Sequence, residues 1–259
     1  MIRVVVGGAT GKLGRLVCDM IRSSDDMKLV GAVVSPDGKN VGKELYPGVF
    51  GTVPADISKT LADADVYVDL TTPQAAAELI AEIPNNNVNI VLGTTAVPAE
   101  VIKKMEKNVA SRKTSAVISA NFATGVNVFW SIAEKMAEML KGYQIELTEV
   151  HHAGKKDSPS GTTLETVKRI QSVTGIDDVI YGRSGVSDGR GDEICVHSIR
   201  LGDAVGEHTV LFAGNKEVLE LRHNAISRDT LASGCLTCIR WIHNKKDGKI
   251  HGMREVLGI

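Results

Sequence analysis

The chain predicts an α/β protein, in which a Rossmann-type doubly wound parallel sheet is followed by a second, α+β domain with an open mixed sheet. Three observations carry that prediction. A strand, a glycine-rich loop and a helix follow one another at the amino end. Strand-like and helical runs then alternate as far as Phe122. Beyond residue 140 the texture changes to closely spaced β-rich segments.

Ile2 to Val6 is a short β-branched run. Gly7-Gly8-Ala9-Thr10-Gly11-Lys12-Leu13-Gly14 comes next, then a helical pattern through Leu16, Val17, Met20 and Ile21. The glycines at 8, 11 and 14 fit a variant dinucleotide fingerprint: glycine permits the tight turn, lets backbone approach a pyrophosphate and allows close helix packing. The strand Lys28 to Val34 completes the βαβ unit. At its end such folds often place an acid for the adenosine ribose, and here Ser35 stands in that place with Asp37 and Lys39 behind it. A hydroxyl with a nearby ammonium tolerates a ribose phosphate, so NADPH is favoured over NADH, with use of both allowed. A Pro36-Asp37-Gly38 turn explains the same residues without a ligand.

Strand-like runs follow at Val66 to Leu70, Val88 to Leu92 and Ala116 to Ser119, separated by helical stretches at Ala75 to Ile83 and Ala99 to Ala110. Each strand ends in small polar residues, namely Asp69 to Pro73, Gly93-Thr94-Thr95 and Ala120-Asn121-Phe122. Ligands of doubly wound sheets bind at the carboxyl ends of the strands, so these tips are expected to line a cofactor cleft. Gly125 to Leu140 reads as a helix whose stripe of Val128, Ile132, Met136 and Met139 is expected to pack in a core. Further strands are expected at Gln144 to Val150, Glu193 to Leu201, His208 to Ala213 and Val218 to Asn224, with a mobile glycine-rich loop at Gly182 to Gly191. Thr230 to Asn244 is helical and apolar on one face. The expected domains are 1–122, which binds dinucleotide, 123–229, which binds substrate and oligomerises, and 230–259, which returns to the first.

Glu149-Val150-His151-His152-Ala153-Gly154-Lys155-Lys156-Asp157-Ser158-Pro159-Ser160-Gly161-Thr162 concentrates the chemistry. Two histidines stand at a strand end, and a Ser-Pro-Ser-Gly break leads into a helix over Thr162 to Val173. Backbone N–H groups at that helix start, with the Ser160 and Thr162 hydroxyls, suit a carboxylate or phosphate. Lysine and histidine within reach supply a proton. Neighbouring strand residues point to opposite faces, and no ligand partner stands at zinc spacing, so no metal is expected. Taken singly, Lys155-Lys156 reads as a solvated surface and Ser160 as a helix cap.

A net charge of −1 and 43% hydrophobic residues suit a globular enzyme and argue against a nucleic-acid or membrane surface. The first apolar run is too short for a signal peptide, so the expected location is cytoplasmic. Cys235 and Cys238 fall inside a helical run and read as packed thiols.

Together with Gly202-Asp203-Ala204-Val205-Gly206-Glu207-His208-Thr209, the glycine loop, Gly93 to Thr95, Ala120 to Phe122 and the Glu149 to Thr162 segment resemble the 4-hydroxy-tetrahydrodipicolinate reductase family over nearly the whole chain. The resemblance implies reduction of a ring dicarboxylate in the diaminopimelate route to lysine, with NADPH or NADH, by a homotetramer. It implies Lys155 as proton donor and His151 as second acid/base group. His152, Lys155, Ser160, Gly161 and Thr162 would hold the substrate. Gly8, Ala9, Thr10, Gly11, Lys12 and Leu13 would bind pyrophosphate, with Gly93, Thr94, Thr95, Ala120, Asn121, Phe122 and Ala123 near the nicotinamide. Ala96 stands where the family often has glycine, and Ser35-Pro36 replaces an acid-plus-arginine pair of some members. Two rivals are a different two-domain dehydrogenase of amino-acid metabolism and a dinucleotide-sensing regulator. The first is weakened because the His151 to Thr162 segment fits a dicarboxylate ring better than a thioester nucleophile site, where a strand-end cysteine would be expected, the second because no basic DNA-reading helix is present.

Overall fold

Strands that are apolar on both faces require cover on both sides, and the amino-terminal strands meet that condition. In the computed structural model, which describes residues 1–259, β1 (Ile2–Gly7) leads into α1 (Lys12–Arg22) and β2 (Met27–Val33). A small antiparallel pair, β3 (Glu44–Tyr46) and β4 (Val49–Thr52), precedes α2 (Ile57–Leu61) and β5 (Val66–Asp69). Then come α3 (Pro73–Leu79), β6 (Asn89–Leu92), α4 (Ala99–Arg112) and β7 (Ala116–Ile118). β5 and β6 are buried at every position.

The chain then enters a second unit, which spans 125–228. α5 (Thr124–Met139) is followed by β8 (Gln144–His151), α6 (Gly161–Thr174) and β9 (Val179–Tyr181). β10 (Ile194–Arg200), β11 (Gly206–Gly214) and β12 (Glu217–Ala225) complete it. The five strands lie in the order β12-β11-β8-β10-β9, parallel among β8, β9 and β10 and antiparallel at β11 and β12. On β8 the alternation buries Ile145, Leu147, Glu149 and His151 on one face and leaves Glu146, Thr148 and Val150 half-buried on the other.

Residues 229–259 belong to the first unit. α7 (Asp229–Ile242) contributes Ala232, Cys235, Leu236, Cys238, Ile239 and Ile242 to the core beneath β1 and α1, and β13 (Ile250–His251) adds a parallel edge strand to β7 before α8 (Met253–Leu257). The Asn89 amide fixes this return by donating to the carbonyls of Ile242, His243 and Lys245 at 2.6, 3.2 and 3.0 Å, which satisfies the free end of α7. The sheet runs β13-β7-β6-β5-β1-β2-β4-β3, so strand order reverses between β1 and β5. That reversal makes the carboxyl ends of β1 and β5 the place where a ligand enters. No helix is long and apolar enough to cross a membrane.

The α5 stripe differs from expectation. Ile132 and Met139 are exposed and Val128 and Met136 only partly covered, whereas Val126, Phe129, Trp130, Ala133 and Ala137 face the core. The two aromatic rings bury more apolar surface than the aliphatic stripe offers, and they set which face turns inward. The Gly182 to Gly191 loop is tied at two points. Arg183 pairs with Glu146 and Glu193 at 2.8 Å each, and Arg190 donates to the Ile145 carbonyl at 3.1 Å.

Candidate active site

In the first unit the glycines do what their positions require. Gly8 has φ of +75°, and a Cβ there would lie 2.3 Å from the Leu70 carbonyl oxygen. A Cβ on Gly14 would lie 2.1 Å from the Gly8 carbonyl oxygen, so α1 could not approach the loop with any other residue there. α1 starts at an extended Gly11 without side-chain capping, which leaves its first N–H groups open to an anion. Beside them is a cleft of about 380 Å³ lined by Gly8, Thr10, Gly11, Ser35, Leu70 and Thr71, among others. These features fit a dinucleotide.

The other expected cofactor residues divide by exposure. Lys12 is exposed, Leu13 packs partly on the core, and Ala9 is buried in it, so Ala9 offers backbone only. Lys39 is exposed and stands outside the cleft lining. Phe122 is buried against Gly93, where a Cβ would come within 2.5 Å of the ring, and Ala123 is buried too. Asn121 Oδ1 accepts from the Ala123 N–H at 2.9 Å, while Thr95 and Ala120 are both exposed at the strand tips. Thr94 joins a knot that sequence reading misses: the buried Asp69 carboxylate accepts from Thr94 Oγ1 at 2.6 Å, Thr71 Oγ1 at 2.8 Å and Tyr67 Oη at 2.9 Å. It locks the ends of β5 and β6 together.

In the second unit β8 delivers His151 as its last residue, and the chain turns through His152 and Lys155 before α6 begins. Ser160 is buried. Its hydroxyl caps α6 by accepting from the Thr163 N–H at 3.2 Å and also meets Thr163 Oγ1 and His208 Nε2. The hydroxyl expected to hold substrate is thus committed to the helix. What remains open is the Gly161 and Thr162 end of α6, where a Cβ on Gly161 would meet nothing within 4 Å. The first N–H groups of a helix have no intrahelical acceptor, so this end can receive a carboxylate. The Thr162 carbonyl is held by Trp130 Nε1 at 3.1 Å, which fixes the turn from behind. Lys155 Nζ is 2.9 Å from Asp157 Oδ2, and the lysine holds the Asp157 carboxyl below its usual range.

Behind this loop is a buried polar cluster of which the sequence points only to His151. Glu149 is fully buried, accepts from Arg200 Nη2 at 2.9 Å and from the Ser160 N–H at 3.2 Å, and stands 2.5 Å from His151 Nδ1. Burial alone would raise its pKa, but the neighbouring Ser198 and Arg200 and the nearby His151 outweigh that and lower it. Burial lowers the His151 pKa, against the pull of Glu149 and with the push of Lys155. His208 packs edge-on to His151, ring centroids 5.1 Å apart, and burial brings its pKa down to about 3, with His151 and His223 adding to the shift. Both imidazoles are therefore neutral at neutral pH. Glu149, His151 and His208 approach metal-ligand spacing, as do Glu146, Cys195 and His197, but an arginine already holds each carboxylate.

Comparison with known proteins agrees with this geometry. The family model described as dihydrodipicolinate reductase, N-terminus, matches residues 2–122, and its C-terminus counterpart matches 125–257. The 4-hydroxy-tetrahydrodipicolinate reductase of Methanococcus aeolicus is 39% identical, with 100% of this chain and 99% of that one covered. Its Methanocaldococcus jannaschii counterpart is 40% identical over 100% and 98%. Among solved structures, dipicolinate-bound dihydrodipicolinate reductase from Paenisporosarcina sp. TG-14 superposes with a TM-score of 0.83 at 26% identity, covering 98% of this chain and 99% of that one. With a dinucleotide-type first unit, a helix start open to an anion in the second and family models matching both, the chain belongs to the dihydrodipicolinate reductase family.

Proposed function

We propose that the chain reduces 4-hydroxy-tetrahydrodipicolinate to tetrahydrodipicolinate in the diaminopimelate route to lysine, using NADPH or NADH. One observation carries the reading: Lys155, the only lysine of its pair drawn into the loop, precedes by six residues a helix start whose Gly161 and Thr162 N–H groups are open. An acid and a carboxylate receptor in one loop suit a ring dicarboxylate that must be protonated as it is reduced.

In this reading Gly161 and Thr162 receive a substrate carboxylate and His152 supports it. The 4-hydroxyl leaves the ring as water, and Lys155 Nζ gives a proton to the ring carbon beside the reduced position and regains one from solvent. His151 orients the ring or its bound water through a neutral imidazole. Gly8 to Leu13 hold the pyrophosphate, Ser35 and Lys39 flank the adenosine ribose, and Gly93 to Thr95 with Ala120 to Ala123 hold the nicotinamide end. The dinucleotide supplies hydride when bound. NADPH is the preferred donor because no acid faces the ribose at Ser35. A homotetramer belongs to the same reading, supported by the exposed apolar Ile132, Met139, Ile199 and Val218 on the second unit.

The test is nicotinamide absorbance after mixing the protein with NADPH and freshly generated 4-hydroxy-tetrahydrodipicolinate. Oxidation that depends on both supports the proposal. Dinucleotide binding without turnover favours a sensor instead, and turnover only with other amino-acid-derived substrates favours a different dehydrogenase.

A further inference from the structure

Glu149 is a buried carboxylate that touches three separate parts of the site, and its two oxygens are not equivalent. Oε1 accepts two donors, the Ser160 N–H at 3.2 Å and Arg200 Nη2 at 2.9 Å. Oε2 stands 2.5 Å from His151 Nδ1, at ion-pair distance without hydrogen-bond alignment, and neither atom has a hydrogen-bond partner. Two lone pairs would repel at that separation, so the contact needs a proton on Nδ1. The neutral ring then carries its lone pair on Nε2. The opposite side of the ring is kept clear by Gly206, where a Cβ would lie 3.2 Å from His151 Nε2.

We infer that Glu149 is a positioning residue that fixes His151 in the Nδ1–H tautomer, leaving Nε2, beside Gly206, as a hydrogen-bond acceptor, and that the same carboxylate anchors the Ser160 turn. Arg200 completes the arrangement. It neutralises Glu149 and also donates to the Asp157 carbonyl at 2.7 Å, so the loop carrying Lys155 is tied to the same carboxylate. The division of labour is Lys155 as proton donor and His151 as acceptor of a hydrogen bond from the ring or its bound water. This inference refines the proposed function and rests on it for the identity of the substrate.

The inference predicts an unusual outcome for Glu149→Gln. An amide has one acceptor oxygen and one donor NH₂, and the two donors at the Oε1 position select the oxygen for that place. The NH₂ must then face His151 Nδ1, which can meet it only as an acceptor. The substitution therefore keeps the shape and reverses the tautomer.

The decisive measurement uses full-length protein labelled with [¹⁵N]histidine, with His151 assigned by the signal lost in His151→Gln. Long-range ¹H–¹⁵N correlation is expected to show a protonated Nδ1 and bare Nε2 in the wild type, and the reverse in Glu149→Gln. Turnover in that variant should fall by about 10²-fold, the scale of a lost acid/base group. The affinity for pyridine-2,6-dicarboxylate should stay nearly constant, because the Ser160 and Arg200 contacts survive. Gly206→Ala should lower turnover without changing the tautomer. A wild-type His151 protonated on Nε2 overturns the inference, and needs no variant to fold. So does a Glu149→Gln enzyme of wild-type activity. If the tautomers are as stated but the protein does not reduce the proposed substrate, the functional reading fails and the inference about Glu149 stands.

Discussion

Lys155 Nζ lies 2.9 Å from Asp157 Oδ2, a link that draws one lysine of the Lys155-Lys156 pair into the loop while its neighbour stays exposed. Two adjacent side chains of identical chemistry thus have different environments. Lys155→Ala is expected to lower kcat by about 10²-fold or more, the usual effect of losing a general acid. Lys156→Ala should leave kcat within a few-fold, roughly the range of a surface change. Steady-state kinetics on the two variants checks this, and equal losses would remove Lys155 from the mechanism.

The α6 start separates two hydroxyls that look alike in sequence. Ser160 Oγ is spent on capping and on His208, while Thr162 stands beside the open N–H groups. Thr162→Val should weaken pyridine-2,6-dicarboxylate binding by roughly 1–3 kcal/mol at little cost to folding. Ser160→Ala should do the reverse, lowering stability by about 1 kcal/mol through the lost cap. Calorimetric titration and denaturant unfolding of both variants distinguish the cases, and NADPH affinity should not move in Thr162→Val.

The first unit is largely legible in the amino-acid sequence, and for identifiable reasons. Parallel strands write their burial as unbroken apolar runs, and the glycine loop must be glycine because a Cβ on Gly8 or Gly14 would strike backbone. The departure at Ala96 has a visible cost, since its φ of +56° is a conformation that favours the glycine it replaces. Glu149, Arg200, Gly206 and His208 are not legible as a group. They come from β8, β10 and β11, and only the register that pairs Glu149 with Ser198 and His208 brings them together. The inward face of α5 is misread from sequence because two apolar stripes compete on one helix, and periodicity alone does not say which one turns inward.

The buried histidines make the fold sensitive to acid. His208 is faced by His151, His223, Glu149, Lys155 and the Ser160 hydroxyl, and its pKa of about 3 is below the ordinary value of 6.5. In the unfolded chain it takes up a proton below about pH 6.5, while in the folded chain it does not, so stability is lost as pH falls through that window. Between about pH 7 and about pH 5 the expected loss from His208 alone is about 2 kcal/mol. His151 and His223, also lowered, act in the same direction. Urea midpoints at the two pH values should show the decline, and His208→Gln should flatten it. An unchanged slope in the variant would mean that His208 titrates normally in the fold.

Cofactor preference turns on the end of β2, where Ser35 lines the cleft and Lys39 is exposed four residues on. An acid at position 35 would accept bonds from a free ribose hydroxyl and repel a ribose phosphate, and its absence removes the main barrier to NADPH. Ser35→Glu is therefore expected to shift preference toward NADH. Lys39→Ala should weaken NADPH alone, because only that cofactor carries the phosphate the ammonium can reach. Since Lys39 is solvent-exposed, its contribution is screened, and raising the salt should weaken NADPH binding more than NADH binding. KM for both cofactors at low and high salt, in the wild type and the two variants, measures each effect. If Lys39→Ala leaves the NADPH to NADH ratio unchanged, Lys39 serves only the turn, and any preference must come from the cleft wall at Ser35.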